Sequence, residues 1–293
     1  MKIEDVRRVL VVGAGTMGRQ ISLQCAMHGY DVTLYDVSPD ALDAAMAQLR
    51  AFADHLTSWG RLTRKGADAA LAQIATTTNA RKAAAEADLL SESVPEDPGL
   101  KCRVFAQFNK LCPSRTIFTT NSSELMPSLM AAKTGRPDKF AALHFHQHVW
   151  EANVADIMPH PGTSQSTIRL IKAFAESIGQ IPILLKKEHA AYVFNNMLNA
   201  LNGAALDLAI NNVASVEDID RAWIGVMKTM VGPFSIMDFV GLDLAWKITD
   251  QFARLSGDPQ IKARGDFIKR YVDKGWLGVK SGRGFYNYTA AGL

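Results

Sequence analysis

The sequence predicts an α/β N-terminal domain that contains a helical hairpin insertion and is followed by an all-α C-terminal domain. Strand-like apolar segments alternate with helical stretches up to about residue 186, and they lie at 9–12, 32–35, 89–94, 116–120, 141–147, 154–158 and 181–185. This alternation indicates a mostly parallel sheet that is covered by helices on both faces. Residues 39–74 are too long for a simple crossover between two strands, so we interpret them as the helical hairpin.

The pattern becomes helical at about residue 188. We predict four helices there, over 190–210, 216–230, 236–253 and 261–274, with a last strand-like signal at 284–288. We therefore expect two domains, residues 1–187 and 188–293, with the boundary near 186–189. The helices carry more apolar positions than a domain of about 105 residues covers by itself, which predicts a homodimer. These positions include Met197, Leu201, Trp223, Met227, Phe239 and Trp246.

A glycine-rich turn follows the first strand-like segment directly. Its sequence is Gly13-Ala14-Gly15-Thr16-Met17-Gly18, and residues 16–29 continue it with helical spacing. The second strand-like segment ends on Asp36, which lies 18 residues after Gly18. Strand, turn, helix and acid together are the dinucleotide-binding fingerprint of a Rossmann-like domain, in which the turn and the helix N-terminus bind the pyrophosphate.

Asp36 also indicates which dinucleotide binds. A carboxylate at this position accepts hydrogen bonds from the ribose hydroxyls of NAD and repels the 2′-phosphate of NADP. Residues 37–40 contain no arginine or lysine that would pair with that phosphate. We therefore expect NAD as the cofactor. FAD uses the same fingerprint, and these residues alone do not exclude it.

The composition excludes several other classes of protein. Of 293 residues, 48% are hydrophobic and 21% are charged, and 32 basic residues are mixed with 29 acidic ones. This balance argues against nucleic-acid and membrane partners, and no apolar run is long enough to span a bilayer. Three cysteines match no zinc or disulfide framework, and the first strand begins too early to leave room for a signal segment. We expect a cytoplasmic protein with reduced thiols.

A cluster of histidines lies at the end of the fifth predicted strand. If residues 143–150 are a strand, His144, His146 and His148 project from one face. Pairs of histidines on a strand also build zinc sites, so a metal-dependent hydrolase is an alternative. No acidic residue stands at a familiar ligand spacing, and a hydrolase leaves the dinucleotide fingerprint unexplained. We therefore expect no metal here and predict acid–base chemistry instead.

The chain resembles the L-3-hydroxyacyl-CoA dehydrogenase family over nearly its whole length. Six ordered motifs carry the resemblance, at 13–18, 92–97, 120–123, 143–145, 232–243 and 280–286. The resemblance implies a Rossmann-like NAD-binding domain, a helical dimerisation domain and an active site in the cleft between them. It also implies a small-molecule acyl substrate, either free or as a CoA thioester.

The family's functional residues can be carried over by position. The catalytic histidine falls on His144, and its partner acid, normally a glutamate, falls on Asp156. The serine near the substrate and the nicotinamide falls on Ser123, and the substrate-facing asparagine falls on Asn195. Further family contacts to NAD fall on Glu96, Lys101 and Lys280.

These roles agree with elementary chemistry. Oxidation of a secondary alcohol needs a base for the hydroxyl proton, and histidine titrates near neutral pH. A carboxylate on the other ring nitrogen selects the tautomer and stabilises the imidazolium. Plain structural roles remain as alternatives: Ser123 as the cap of a helix near Met126, Asn195 as a buried polar group, Asp156 as a surface acid and His144 as a core histidine.

The chain departs from the family after the catalytic histidine. The family continues Phe-Phe-Asn-Pro, whereas this chain continues Phe145-His146-Gln147-His148. The pattern is similar to a branch that includes a bacterial diketoreductase, which reduces β,δ-diketo esters without CoA. The family's CoA-contacting serine and lysine fall on Phe52 and Trp59. Three functions thus remain open: a 3-hydroxyacyl dehydrogenase, a diketoreductase-type enzyme, and a crystallin-like nucleotide-binding protein with vestigial activity.

Overall fold

The structure is a computed structural model that describes residues 1–288. The chain divides into two compact units, Met1–Val193 and a second unit that begins at Phe194. Within the described residues, no helix combines the length and the apolar character that crossing a membrane requires.

The first unit is built on one eight-stranded sheet. Its order is β3-β2-β1-β4-β5-β6-β7-β8, and all neighbouring strands are parallel except β6 and β7, which are antiparallel. The predicted Rossmann-like sheet is confirmed. The strands are β1 Arg8–Val12, β2 Asp31–Tyr35, β3 Ile74–Thr77, β4 Leu89–Glu92, β5 Ile117–Thr120, β6 Phe140–Phe145, β7 Val154–Pro159 and β8 Ile181–Leu184.

Helices connect these strands, and two of them form the predicted hairpin. The long helix of the hairpin begins after Ser38, whose hydroxyl caps it by accepting the Ala41 N–H, and Pro39 occupies its first turn. The helices of this unit are α1 Thr16–Met27, α2 Pro39–Ser58, α3 Arg64–Ala72, α4 Ala80–Ala84, α5 Pro98–Asn109, α6 Ser128–Ala131 and α7 Gln165–Ser177. The hairpin consists of α2 and α3.

The second unit is helical, as predicted, but its described residues, which end at 288, form five α-helices instead of four. The predicted helix over 236–253 is interrupted at Gly241, whose φ of 101° ends one helix and begins the next. The helices are α8 Phe194–Ile210, α9 Val216–Met227, α10 Pro233–Val240, α11 Leu242–Ser256 and α12 Pro259–Val272. Their core contains Phe234, Met237, Leu242 and Ile268, which are all buried.

Other parts of the secondary structure also differ from the prediction. The strand-like signal at 284–288 forms no strand, and this segment takes part only in an isolated bridge between Arg283 and Asn287. β3 was not predicted, because this short edge strand buries only one side chain, Ile74. The strand expected over 141–147 ends at Phe145, so His146 and His148 lie beyond it. The helix expected from residue 190 begins at Phe194, because Ala191 and Tyr192 have positive φ values of 62° and 53°.

The glycine turn after β1 depends on close backbone contacts. At Gly13, with φ of 108°, a Cβ would lie 2.6 Å from the carbonyl oxygen of Ser93. At Gly18 a Cβ would lie 1.8 Å from the carbonyl oxygen of Gly13, so α1 packs directly on the turn. A Cβ at Gly15 would meet no atom within 4 Å. Gly13 and Gly18 are therefore required by the fold, whereas the space at Gly15 is open.

We expect Gly18→Ala to destabilise the protein and Gly15→Ala to leave its stability nearly unchanged. The added methyl at position 18 must displace backbone, which costs about 1–3 kcal/mol, whereas an exposed change costs less than about 0.5 kcal/mol. Urea unfolding of both variants measures the difference. Equal free energies of unfolding would contradict this account of the turn.

Candidate active site

The sheet order creates a crevice at the carboxyl ends of its central strands. The chain leaves β1 toward β2 and β3 on one side, and it continues from β3 to β4 on the other side of β1. Ligands of open α/β sheets bind at such a switch point. The glycine turn follows β1, the segment with Glu96 follows β4, and Ser123 follows β5. One edge of the sheet thus collects most of the predicted site residues.

The residues at the start of α1 fit a dinucleotide. Gly15 precedes the helix and leaves open space, and it has no side chain to cap the first N–H groups of α1. These groups and the helix dipole attract phosphate. Asp36 accepts the N–H of Ala14 at 2.8 Å and that of Ser38 at 3.0 Å, so its carboxylate is fixed beside the turn. The geometry of residues 13–18 and Asp36 therefore fits a pyrophosphate and a ribose.

Lys101 is buried beneath this edge, with an exposed fraction of 1%. Its ammonium donates to Glu92 at 2.7 and 3.0 Å and to the Val94 carbonyl at 3.2 Å, and it lies 3.3 Å from Glu96. Burial raises the pKa of Glu92, although Lys101 acts in the opposite direction. All donors of Lys101 are thus directed to protein acceptors, and the residue supports the loop that carries Glu96.

Glu96 lies above Lys101 at the more open end of the network. Its carboxylate accepts the hydroxyl of Ser122 and the N–H of Glu124. Burial alone would raise the pKa of Glu96, but the charge of Lys101 and the hydrogen bonds outweigh it and hold the pKa below its usual value. Glu96 is therefore an anionic acceptor at the ends of β4 and β5.

His144 and Asp156 face each other across β6 and β7. The antiparallel register places them directly opposite, and their Nδ1 and Oδ2 atoms are 3.2 Å apart. Both side chains are buried. An ionised carboxylate only accepts hydrogen bonds, so Nδ1 of His144 carries the proton. In the neutral ring, Nε2 is therefore an acceptor.

Ser123 lies on the other side of the His144 ring. Its Oγ is 3.2 Å from Nε2. The side chain of Asn121 accepts the N–H of Phe145 at 2.8 Å, which ties the end of β5 to the end of β6 and sets this distance. The alternative role of Ser123 as a helix cap is wrong, because α6 begins at Ser128 and Pro127 precedes it.

The surroundings of His144 favour its neutral form. Burial lowers its pKa, the hydrogen bond to Asp156 raises it in part, and the net pKa lies below the usual value. Burial alone would raise the pKa of Asp156, but the hydrogen bonds from His144 and His146 outweigh it, so this pKa is also lowered. At neutral pH the pair is a neutral imidazole beside a carboxylate, which suits a base.

Tyr192 belongs to the site, although sequence reasoning did not identify it. Its ring stacks on His144 with centroids 4.4 Å apart and planes 9° apart, and its hydroxyl donates to the Ser122 carbonyl at 2.6 Å. Burial raises its pKa well above the usual value, so it stays a neutral donor. The predicted helix over this segment concealed the left-handed conformation that directs the ring to His144.

His146 contacts the same carboxylate as His144. Its Nε2 is 3.2 Å from Oδ2 of Asp156. His144, His146 and Asp156 place one ligand-type atom each within 4.8 Å of one another. Asp156 is thus the nearby acidic residue that sequence spacing did not reveal. The nitrogen–oxygen separations are those of hydrogen bonds. His148 does not continue the strand: its φ is 63° and its N–H donates to Gln20 at 2.7 Å.

Asn195 and Lys280 lie in the second unit. Asn195 is the second residue of α8 and is half-buried. Lys280 donates to Asp243 at 2.5 Å. All other predicted site residues belong to the first unit, so the roles of these two in binding remain predictions.

Known proteins match both units of the chain. The family model described as "3-hydroxyacyl-CoA dehydrogenase, NAD binding domain" matches residues 8–189, and its "C-terminal domain" matches residues 192–288. A probable 3-hydroxybutyryl-CoA dehydrogenase of Bacillus subtilis is 29% identical over 97% of this chain and 98% of its own. The human mitochondrial hydroxyacyl-coenzyme A dehydrogenase is 30% identical over 97% of this chain and 91% of its own.

Solved structures agree with this assignment. A diketoreductase that acts on dicarbonyl compounds superposes with a TM-score of 0.91 at 39% identity, over 97% of this chain and 99% of the other. The (S)-3-hydroxybutyryl-CoA dehydrogenase PaaH1 of Ralstonia eutropha superposes with a TM-score of 0.87 at 28% identity, over 97% of this chain and 100% of the other. Because the family models cover both units, and the fold and its NAD-binding turn agree with them, the chain belongs to the 3-hydroxyacyl-CoA dehydrogenase family of NAD-dependent oxidoreductases.

Proposed function

We propose that His144 transfers the proton in the NAD-dependent interconversion of a 3-hydroxyacyl compound and its 3-keto form. The observation that supports this most directly is that the two nitrogens of the His144 ring have different partners. One nitrogen is held by Asp156, and the other lies beside the hydroxyl of Ser123. A base with an orienting carboxylate on one side and a polar group at the reacting side is the arrangement that proton transfer requires.

In the oxidative direction, Nε2 of His144 removes the proton of the substrate hydroxyl. NAD⁺ held by residues 13–18 and Asp36 would supply the acceptor for the hydride that leaves the same carbon. Asp156 stabilises the imidazolium that forms, and the stacked ring of Tyr192 keeps the imidazole in its plane. Ser123 orients the substrate oxygen, and we propose Asn195 as a second donor to it. In the reverse direction the protonated ring returns the proton to the oxygen.

We propose that some residues contact the cofactor directly and that Lys101 supports one of them. Residues 13–18 and Asp36 hold the pyrophosphate and the adenosine ribose, and Glu96 accepts hydrogen bonds near the nicotinamide end. Lys101 acts through Glu96, because its own ammonium is enclosed by protein acceptors. Lys280 is a further proposed contact, which would exchange its partner Asp243 for the cofactor.

We consider two classes of substrate, which differ in the group attached to the acyl chain. The family relatives favour 3-hydroxyacyl-CoA thioesters. A free β-keto ester of the diketoreductase type is supported by the hairpin. There the Phe52 ring packs against Trp150 in a tilted arrangement, with centroids 5.1 Å and planes 57° apart, and Trp59 is about half-exposed. Aromatic rings thus occupy the positions on which the family's polar CoA contacts fall.

One set of assays separates these candidates. Acetoacetyl-CoA and a free β-keto ester are each reduced with NADH and with NADPH. We expect higher kcat/KM with NADH for every accepted substrate, because Asp36 repels the 2′-phosphate. Asp36→Ala combined with Val37→Arg should relax this preference. Equal use of both cofactors by the unmodified protein contradicts the assignment of Asp36, and no turnover of either substrate favours the vestigial, crystallin-like alternative.

The His144–Asp156 pair predicts non-additive kinetics. His144→Gln should lower kcat at least about 100-fold while NADH still binds, because glutamine cannot exchange the proton. Asp156→Asn should also lower kcat, since an amide does not stabilise the imidazolium. The double variant should be little worse than His144→Gln alone, because the two residues act as a unit. Fully additive losses in kcat would show that Asp156 does not serve His144.

We also propose that the protein is a homodimer formed through its helical unit. Several large apolar side chains of that unit are exposed, among them Met197, Val226, Met227, Met230, Phe239 and Leu255. An apolar surface of this extent is typical of a subunit interface. Sedimentation should give a dimer at micromolar concentration, and a monomer would contradict the proposal.

The three free cysteines support a reducing, cytoplasmic location.

A further inference from the structure

Asp156 uses one oxygen for two histidines. Its Oδ2 lies 3.2 Å from Nδ1 of His144 and 3.2 Å from Nε2 of His146. Its Oδ1 is buried and accepts no hydrogen bond from the described residues. The two imidazole rings are 4.9 Å apart and nearly perpendicular, at 78°. The carboxylate therefore divides the charge of a single oxygen between two N–H donors.

The sharing weakens what Asp156 does for His144. A hydrogen bond from His146 withdraws electron density from Oδ2, so the oxygen stabilises the imidazolium of His144 less than an undivided carboxylate would. The side chain of His146 also acts electrostatically against the charged form of His144. Both effects make His144 easier to deprotonate.

The other groups around His144 come from several elements. Asp156 on β7 and Glu96 after β4 favour the charged ring, whereas burial and His146 disfavour it. The Ser123 hydroxyl after β5 is neutral, and so is the ring of Tyr192, which covers one face. His146 is therefore the one N–H-donating side chain in this set that acts against protonation of His144.

The chain departs from its family at this position. The family has phenylalanine where this chain has His146, and glutamate where it has Asp156. A phenylalanine leaves the carboxylate entirely to the catalytic histidine. The two departures thus change the number of rings that share the acid, while a histidine still pairs with a carboxylate.

We propose that His146 is a positioning residue that shares Asp156 with His144 and thereby sets the pH range in which His144 exchanges its proton. The inference rests on the proposed role of His144. In the wild-type protein the pH range for alcohol oxidation extends further to the acid side than it would with an undivided Asp156.

The test is the pH dependence of kcat/KM in both directions for His146→Phe. Removing the competing donor raises the pKa of His144. The acid limb of the oxidation profile should then move to higher pH, because oxidation needs the neutral ring. The alkaline limb of the reduction profile should move in the same direction, because reduction needs the charged ring. We expect a shift of about 0.5 pH unit or more, with plateau values changed less than about threefold.

Two further variants serve as controls. His146→Gln keeps an N–H donor that cannot be protonated, so it should return the limbs part of the way toward the wild-type values. His148→Asn removes the nearby imidazole that is not bonded to Asp156, and asparagine tolerates the positive φ of this position. Its profile should match that of the wild type. Thermal unfolding and NADH titration establish that each variant folds, and if His146→Phe does not, His146→Gln provides the comparison with the wild type.

The outcomes are distinct. If the limbs of the pH profiles do not move in His146→Phe, or if they move to lower pH, the proposal about His146 is overturned. A loss of activity in His144→Gln would then still support the proposed function. Retained activity in His144→Gln instead overturns the proposed function. All assays are repeated with EDTA, and a wild-type profile that EDTA changes would mean that a metal ion, not shared hydrogen bonding, acts on the cluster.

Discussion

The cross-strand pairing of His144 with Asp156 is the constraint on which the site depends. β6 is the last strand of the parallel series, and β7 returns antiparallel to it, so position 156 comes to lie opposite position 144. A parallel partner would require a long crossover, and the two residues are only 12 apart in sequence. The reversal at the edge of the parallel sheet therefore brings the acid to the histidine. It also selects the tautomer in which Nε2 accepts a proton.

A second network of polar side chains lies under the ends of β4 and β5. Lys101 and Glu92 form a buried ion pair, and Glu92 also accepts the hydroxyl of Thr120 at 2.6 Å. A buried charge without its partner is costly, so Lys101 must stay beside Glu92, and this contact ties the start of α5 to the end of β4. Glu96 and Ser122 extend the network to the carbonyl that receives the Tyr192 hydroxyl. The orientation of the His144 ring is thus set from both sides.

Sequence analysis predicted the parts of the molecule that local patterns determine. The glycine turn, its flanking strand and helix, and Asp36 follow from spacing and turn geometry. The pairing of Asp156 with His144 could be predicted only from the family resemblance, because a cross-strand contact depends on the register of two strands. Tyr192 escaped prediction since two consecutive non-glycine residues with positive φ have no sequence signature. The contact of His146 with Asp156 was missed for a related reason, because it forms just beyond the end of β6.

The most direct test of the account is the protonation of the His144 ring. Nitrogen-15 NMR of histidine-labelled protein, with His144→Gln to assign the signals, reports which ring nitrogen carries hydrogen. The account predicts a neutral ring near pH 7 with the proton on Nδ1 and a bare Nε2, and in Asp156→Asn this preference should be lost. A His144 ring protonated on Nε2, or one that Asp156→Asn leaves unchanged, would contradict the claim that Asp156 prepares His144 as the base.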